Sequence, residues 1–105
     1  MSPAIHAALL EAASERITSV YEMGAEFLGE FAQRDETALQ MIRGMAASPH
    51  AHVRHNAILC LSQGTSVDVC QEIVRSGLKD KSSRVRRKAA DWAHRLLLKG
   101  VVTDL

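Results

Sequence analysis

The 105-residue chain predicts an all-α fold of about five to six helices. Three observations carry that prediction. No segment alternates β-branched and polar residues as a half-buried strand does, and the good helix formers Ala, Leu, Glu, Arg and Met dominate. Apolar residues recur instead at steps of three and four. The chain also aligns on itself at an offset of 32 residues: Val53-Arg54 with Val85-Arg86, Ala57 with Ala89, Met41-Ile42-Arg43 with Ile73-Val74-Arg75, and Ala38 with Cys70.

The first helix is expected over about Pro3 to Ala13, with Ser2 as cap, Pro3 at the first position and Ile5, Leu9 and Ala12 as its apolar stripe. The second is expected from about Glu15 to Gln33, capped by Ser14 or continuous with the first. Ile17, Val20, Tyr21, Gly24, Phe27, Leu28 and Phe31 form its apolar face, and Glu22, Glu26 and Glu30 an acidic stripe. Asp35 opens a third helix that buries Ala38, Met41, Ile42 and Met45 and stops near Ala47, because Pro49 disfavours helical geometry at Ser48. Ser48 and Pro49 then read as cap and first position of a fourth helix, which turns Val53, Ala57, Ile58 and Leu61 inward and ends at Gly64. Thr65 or Ser66 caps the fifth, with Val67, Cys70, Ile73, Val74 and Leu78 apolar. The sixth runs from about Ser83 to Lys99 and buries Val85, Ala89, Trp92 or Ala93, and Leu96. Gly100-Val101 reads as its stop signal.

The length fits a single domain over 1–105, with 1–34 as divergent N-terminal helices or a cap and 35–100 as the repeated part. Only Tyr21, Phe27, Phe31 and Trp92 are aromatic, so the core is aliphatic and rich in Ala. No apolar run approaches the length of a membrane span, and the N-terminus makes a poor secretory signal. Cys60 and Cys70 sit at apolar helical positions and read as buried small hydrophobes in a reducing compartment, so a cytoplasmic location is expected. Residues 1–52 carry net charge −4 and residues 53–105 net +5. Such asymmetry marks either an electrostatic partner surface or an internal complementarity.

The stretch LKDKSSRVRRKAADWAHRLL, residues 78–97, resembles the HEAT repeat, whose usual form is a Leu-x-Asp turn, then Val-Arg, then Ala at helical spacing. Leu78, Asp80, Val85, Arg86, Ala89 and Ala90 fit that form. The upstream copy SPHAHVRHNAILCL keeps Val53, Arg54 and Ala57, with Ser48 in place of the Asp. The short period is similar to that of the phycobilisome-lyase type. The resemblance covers roughly 35–99 and implies a short right-handed α-α superhelix, or solenoid. It further implies that Arg54 pairs with Asp80 of the next unit as a structural rung. It also implies a protein-binding adaptor or regulator with no catalysis of its own. Nucleic-acid backbone binding is the alternative.

Candidate chemistry is sparse. His50, His52 and His55 cluster without a carboxylate or Cys at ligand spacing, and read as solvent-exposed. The paired His-Glu dipeptides of the HEAT-like deoxyhypusine hydroxylases are absent. No phosphate loop or Gly-x-Ser-x-Gly occurs, so no enzyme, cofactor or metal is expected. Arg43 and Arg75 share the 32-residue spacing and are expected to stack on the second helix of each unit, typically the concave side of such solenoids. The expected partner surface comprises Gln40, Arg43, Gln71, Glu72, Arg75 and Lys79, together with Arg84, Arg87, Lys88 and Arg95 on the basic last helix. Glu72 is placed to pair with Arg75, and Asp91 with Arg87, Lys88 or Arg95. The expected partner is another protein, one with an acidic patch suiting the arginines. No membrane is expected, and the chain itself is expected to be a monomer or a weak homodimer through Trp92, Leu97, Leu98, Val101 and Val102.

Overall fold

The computed structural model describes residues 2–62 and 64–100. Among them are six helices and no strand: α1 (Pro3–Ala13), α2 (Thr18–Ala32), α3 (Glu36–Ala46), α4 (Ala51–Leu59), α5 (Val67–Leu78) and α6 (Ser83–Leu98). They pack as three successive pairs, α1 on α2, α3 on α4 and α5 on α6. The second helices α2, α4 and α6 lie side by side as one row, and α1, α3 and α5 form the other. No pair buries its apolar face alone. Leu28, Ile42, Ile58, Cys70, Val74, Val85 and Ala89 join in one continuous core that crosses all three pairs.

Local signals explain the boundaries. Ser2 caps α1 by accepting from the Ile5 amide, and Asp35 caps α3 by accepting from the Ala38 amide. Between α1 and α2 the chain breaks. Ser14 closes α1, and α2 starts only at Thr18. The break has a tertiary cause: the Asn56 amide donates to the carbonyls of both Ala13 and Glu15, at 2.9 Å each. The fourth helix also starts later than expected. The Ser48 hydroxyl accepts from the His50 amide, which makes a local turn, so His50 rather than Ser48 is the cap and Pro49 stays outside. That helix ends at Leu59, not at Gly64, and the buried Thr65 closes the turn that follows by accepting from the Ser62 amide.

Two burial expectations are corrected. Ile5, Ile17, Val20 and Phe27 are exposed; α2 packs through the expected Tyr21, Gly24 and Leu28 together with Ala25, Gly29 and Ala32. On α5 the buried positions include Val69, while Val67 and Leu78 are exposed, because α5 meets its neighbours one residue further round. Of the two alternatives on α6, Ala93 is buried and Trp92 is partly buried against the core. Gly100 takes φ +72°, the left-handed stop expected there. Its proposed contact at Val101 lies outside the described residues, as does Val102.

Candidate functional site

The repeat joint is the best-defined polar feature. The Arg54 guanidinium forks onto Asp80, with Nε to Oδ2 at 2.8 Å and Nη2 to Oδ1 at 3.0 Å. Its third donor, Nη1, reaches the Ser48 carbonyl at 3.0 Å. Both side chains are nearly 90% covered. Arg54 holds the Asp80 carboxyl below its ordinary value, helped by the Ser82 amide, and Asp80 in turn raises the guanidinium. One unit on, Arg86 Nη1 donates to the Asp80 carbonyl at 2.7 Å, the 32-residue equivalent of the bond from Arg54 to Ser48. The rung is therefore structural, and Arg86 keeps the same posture without a carboxylate partner among the described residues.

The histidine cluster is corrected by burial. His55 is 4% exposed, its Nδ1 lies 2.8 Å from Asn56 Oδ1, and its ring meets Tyr21 edge-on. Burial lowers its basicity, as it does that of His52, where the nearby positive charge of Arg16 adds to the effect. These two residues and Asn56 face the first helix pair, so they form a seam between units. No group of three or more possible metal ligands converges among the described residues. Burial also pushes the Cys60 thiol up to about 12 and that of Cys70 to about 11. Neither supplies a thiolate nucleophile near neutrality.

The row of second helices opens into a groove of about 610 Å³. Its floor is Leu59 at the end of α4 and the following residues to Ser62, with Gly29 of α2. One wall is the α2 ladder Glu22, Glu26 and Glu30. The opposite wall is Lys88, Trp92 and Arg95 of α6. The two cations sit over the Trp92 ring at 5.4 and 4.7 Å, and the Trp92 indole donates to the Leu61 carbonyl at 3.1 Å. Arg95 also meets Asp91 at 3.4 Å. A second hollow of about 490 Å³ shares Gln33, Leu61, Trp92 and Arg95 and extends the groove toward Lys99. The sequence marks the acidic stripe and the basic helix separately. It does not show that they face each other across α4, nor that Trp92 stands between them.

The expected partner residues fall into three places. Lys88 and Arg95 line the groove. Arg84 and Arg87 line a separate recess beside it with His55 and Asp91, where Arg84 reaches the Tyr21 hydroxyl. Gln40, Arg43, Gln71, Glu72, Arg75 and Lys79 belong to α3, α5 and the end of α5, the first helices of their pairs. The arginine column is thus not on the row that carries the groove. Glu72 pairs with Arg43 of the preceding unit at 3.1 Å rather than serving as a partner of Arg75 alone, and Gln40 donates to Glu36.

Comparison with known proteins agrees with this geometry. The family model described as HEAT repeats matches residues 6–93, which extends the likeness back through α1 and α2. No curated protein and no solved structure matches the chain. With the rung from Arg54 to Asp80 in place and the match spanning all three helix pairs, the chain belongs to the HEAT repeat family.

Proposed function

We propose that the chain is a non-catalytic protein-binding module and that the groove between α2 and α6 receives the partner. One observation carries this reading: a single concavity sets three carboxylates on one wall against two cations and an indole on the other. Such a trough suits a segment that brings basic groups to Glu22, Glu26 and Glu30 and an acidic or aromatic group to Lys88, Trp92 and Arg95. HEAT repeats commonly mediate protein interactions, and the two buried, protonated thiols support a module without chemistry of its own. The face of Gln40, Arg43, Gln71, Glu72, Arg75 and Lys79 is the competing surface. Its charged groups already engage one another across units at Arg43 and Glu72.

Affinity capture from extract distinguishes the faces. Trp92→Ala and Lys88→Glu are expected to lose partners that Arg43→Glu/Arg75→Glu retains. The reverse pattern would move the site to α3 and α5, and identical captures from all variants would remove both. For nucleic acid, the glutamate wall repels phosphate from the same groove that Lys88 and Arg95 line. Labelled DNA and RNA are therefore expected to give no anisotropy change at low salt. Binding that weakened steeply with salt would overturn that expectation.

A further inference from the structure

The recess beside the groove measures about 370 Å³ and is lined by Arg84, Arg87, Lys88, Asp91 and the buried His55. The hydrogen bonds around His55 determine what it offers there. The Asn56 amide nitrogen donates to the Ala13 and Glu15 carbonyls, so the amide oxygen is the atom that faces His55 Nδ1, at 2.8 Å. An amide oxygen only accepts, so Nδ1 carries the ring proton and Nε2 is left as a bare acceptor. Nε2 makes no hydrogen bond among the described residues. No fully enclosed side-chain nitrogen or oxygen among them lacks a partner, so Nε2 is not sealed in and reaches the recess that His55 lines. Burial above all, with the charges of Arg84 and Lys88, lowers the basicity of the ring, which stays neutral near neutrality.

The rest of the lining is cationic. Arg84, Arg87 and Lys88 pair with no carboxylate among the described residues, and Asp91 is engaged by Arg95 at 3.4 Å. Arg84 also rests on the hydroxyl of Tyr21, whose ring meets His55 edge-on, and Lys88 leans over Trp92. On α4 the titratable neighbour is His52, with Arg16 close to it. Three cations select an anion, and a bare ring nitrogen selects an anion that keeps a proton to donate. Carboxylates, sulfate esters and the phosphodiesters of a nucleic-acid backbone carry no such proton near neutrality. A phosphate monoester does, because its second proton leaves only at a pKa of about 6. We propose that this recess binds a phosphate monoester, with Arg84, Arg87 and Lys88 on its charged oxygens and its P–OH donating to His55 Nε2. Lys88 borders both the recess and the groove, but the site does not depend on the groove receiving a partner.

Isothermal titration calorimetry of the full chain with methyl phosphate and methyl sulfate tests it, since the two anions match in shape and differ in the proton. At a pH of about 6, methyl phosphate is expected to bind at least about tenfold more tightly, the worth of one hydrogen bond to a charged group. Its affinity is expected to fall as the pH rises from about 6 to about 8 and the bridging proton is lost, whereas a plain cationic patch would favour the dianion and give the opposite slope. Arg87→Glu, at an exposed position, is expected to abolish binding with unchanged helical circular dichroism. His55→Gln, which takes up no proton, is expected to lose both the preference over methyl sulfate and the pH slope. A phosphoserine peptide that binds more tightly than methyl phosphate would identify the ligand as a phosphorylated protein segment, and one that binds no tighter would identify it as a small free phosphate ester. No binding of methyl phosphate, equal binding of the two anions, affinity that rises with pH, or binding retained in Arg87→Glu would each overturn the proposal.

Discussion

Arg54 spends all three kinds of guanidinium nitrogen on structure, two on Asp80 and one on the Ser48 carbonyl. Removing it strands a largely covered carboxylate, so Arg54→Ala should lower stability by about 3 kcal/mol, readable in urea denaturation. The pH dependence has a definite sign. The Asp80 carboxyl is held below its ordinary value, so its contribution is fully present above the unfolded value of about 3.9 and is lost as pH falls through the folded one. Arg54→Ala should flatten that acid limb. His55 acts at milder pH in the same direction. Burial depresses its folded value, so stability should fall as pH drops below about 6.5, when the unfolded chain takes the proton first. His55→Gln should make that loss shallower while His52 retains its own share. Denaturation midpoints across a pH series would show both effects.

At the level of the helices, close approach rests on small residues. A methyl group added at Gly29 would lie 2.2 Å from the Cys60 carbonyl oxygen, a backbone atom that cannot turn aside. Gly29→Ala should therefore cost about 2–3 kcal/mol despite the gain of up to ~1 kcal/mol in helix propensity, because α2 must move off α4. Gly44, on the exposed side of α3, has nothing within 4 Å of such a methyl. Gly44→Ala should raise stability by up to about 1 kcal/mol, since only the propensity changes. Thermal melts of the pair give opposite shifts if packing, not propensity, governs α2. In α6 the same economy appears at Ala89, which lies under Gly77 and leaves no room for a larger side chain on either helix.

For the molecule as a whole, the question is how three pairs behave as one. The core is continuous, but its polar fastening is local, and Asn56 is the principal tie between the first and second pairs. Asn56→Ala leaves two carbonyls without their donor and should cost about 1–3 kcal/mol. In a stack whose units contact only their neighbours, that loss should appear first at the near end. Hydrogen exchange should therefore accelerate in α1 and α2 more than in α5 and α6, whereas a uniform increase would mean that all three pairs open together. The opposite net charges of the two halves of the chain also find their meaning at this scale. The acidic ladder of α2 and the cations of α6 flank α4 and become opposing walls of one groove.

The repeat offset and the helix count were legible in the chain alone, because each is a pattern of residue types at fixed spacing, whereas the rung between Arg54 and Asp80 was implied by the resemblance of that pattern to the HEAT repeat. Asp35 and Ser2 act as the caps their chemistry implies, and Val85, Ala89, Ile73 and Val74 are buried where their periodicity places them. The start of α2, the seating of the histidines and the makeup of the groove were not legible. Periodicity tells which residues share a face, but not which face a neighbour covers. Val20 and Phe27 are as apolar as Leu28, yet only Leu28 has a helix pair packed over it. His55 and Asn56 are polar, yet they lie inside because unit one offers carbonyls and an aromatic edge to meet them. An Asn in mid-helix between the apolar Val53 and Ala57 was the one available hint. Local sequence determines the elements and their repeat, and the stacking of the pairs decides which side chains are buried and which line the groove.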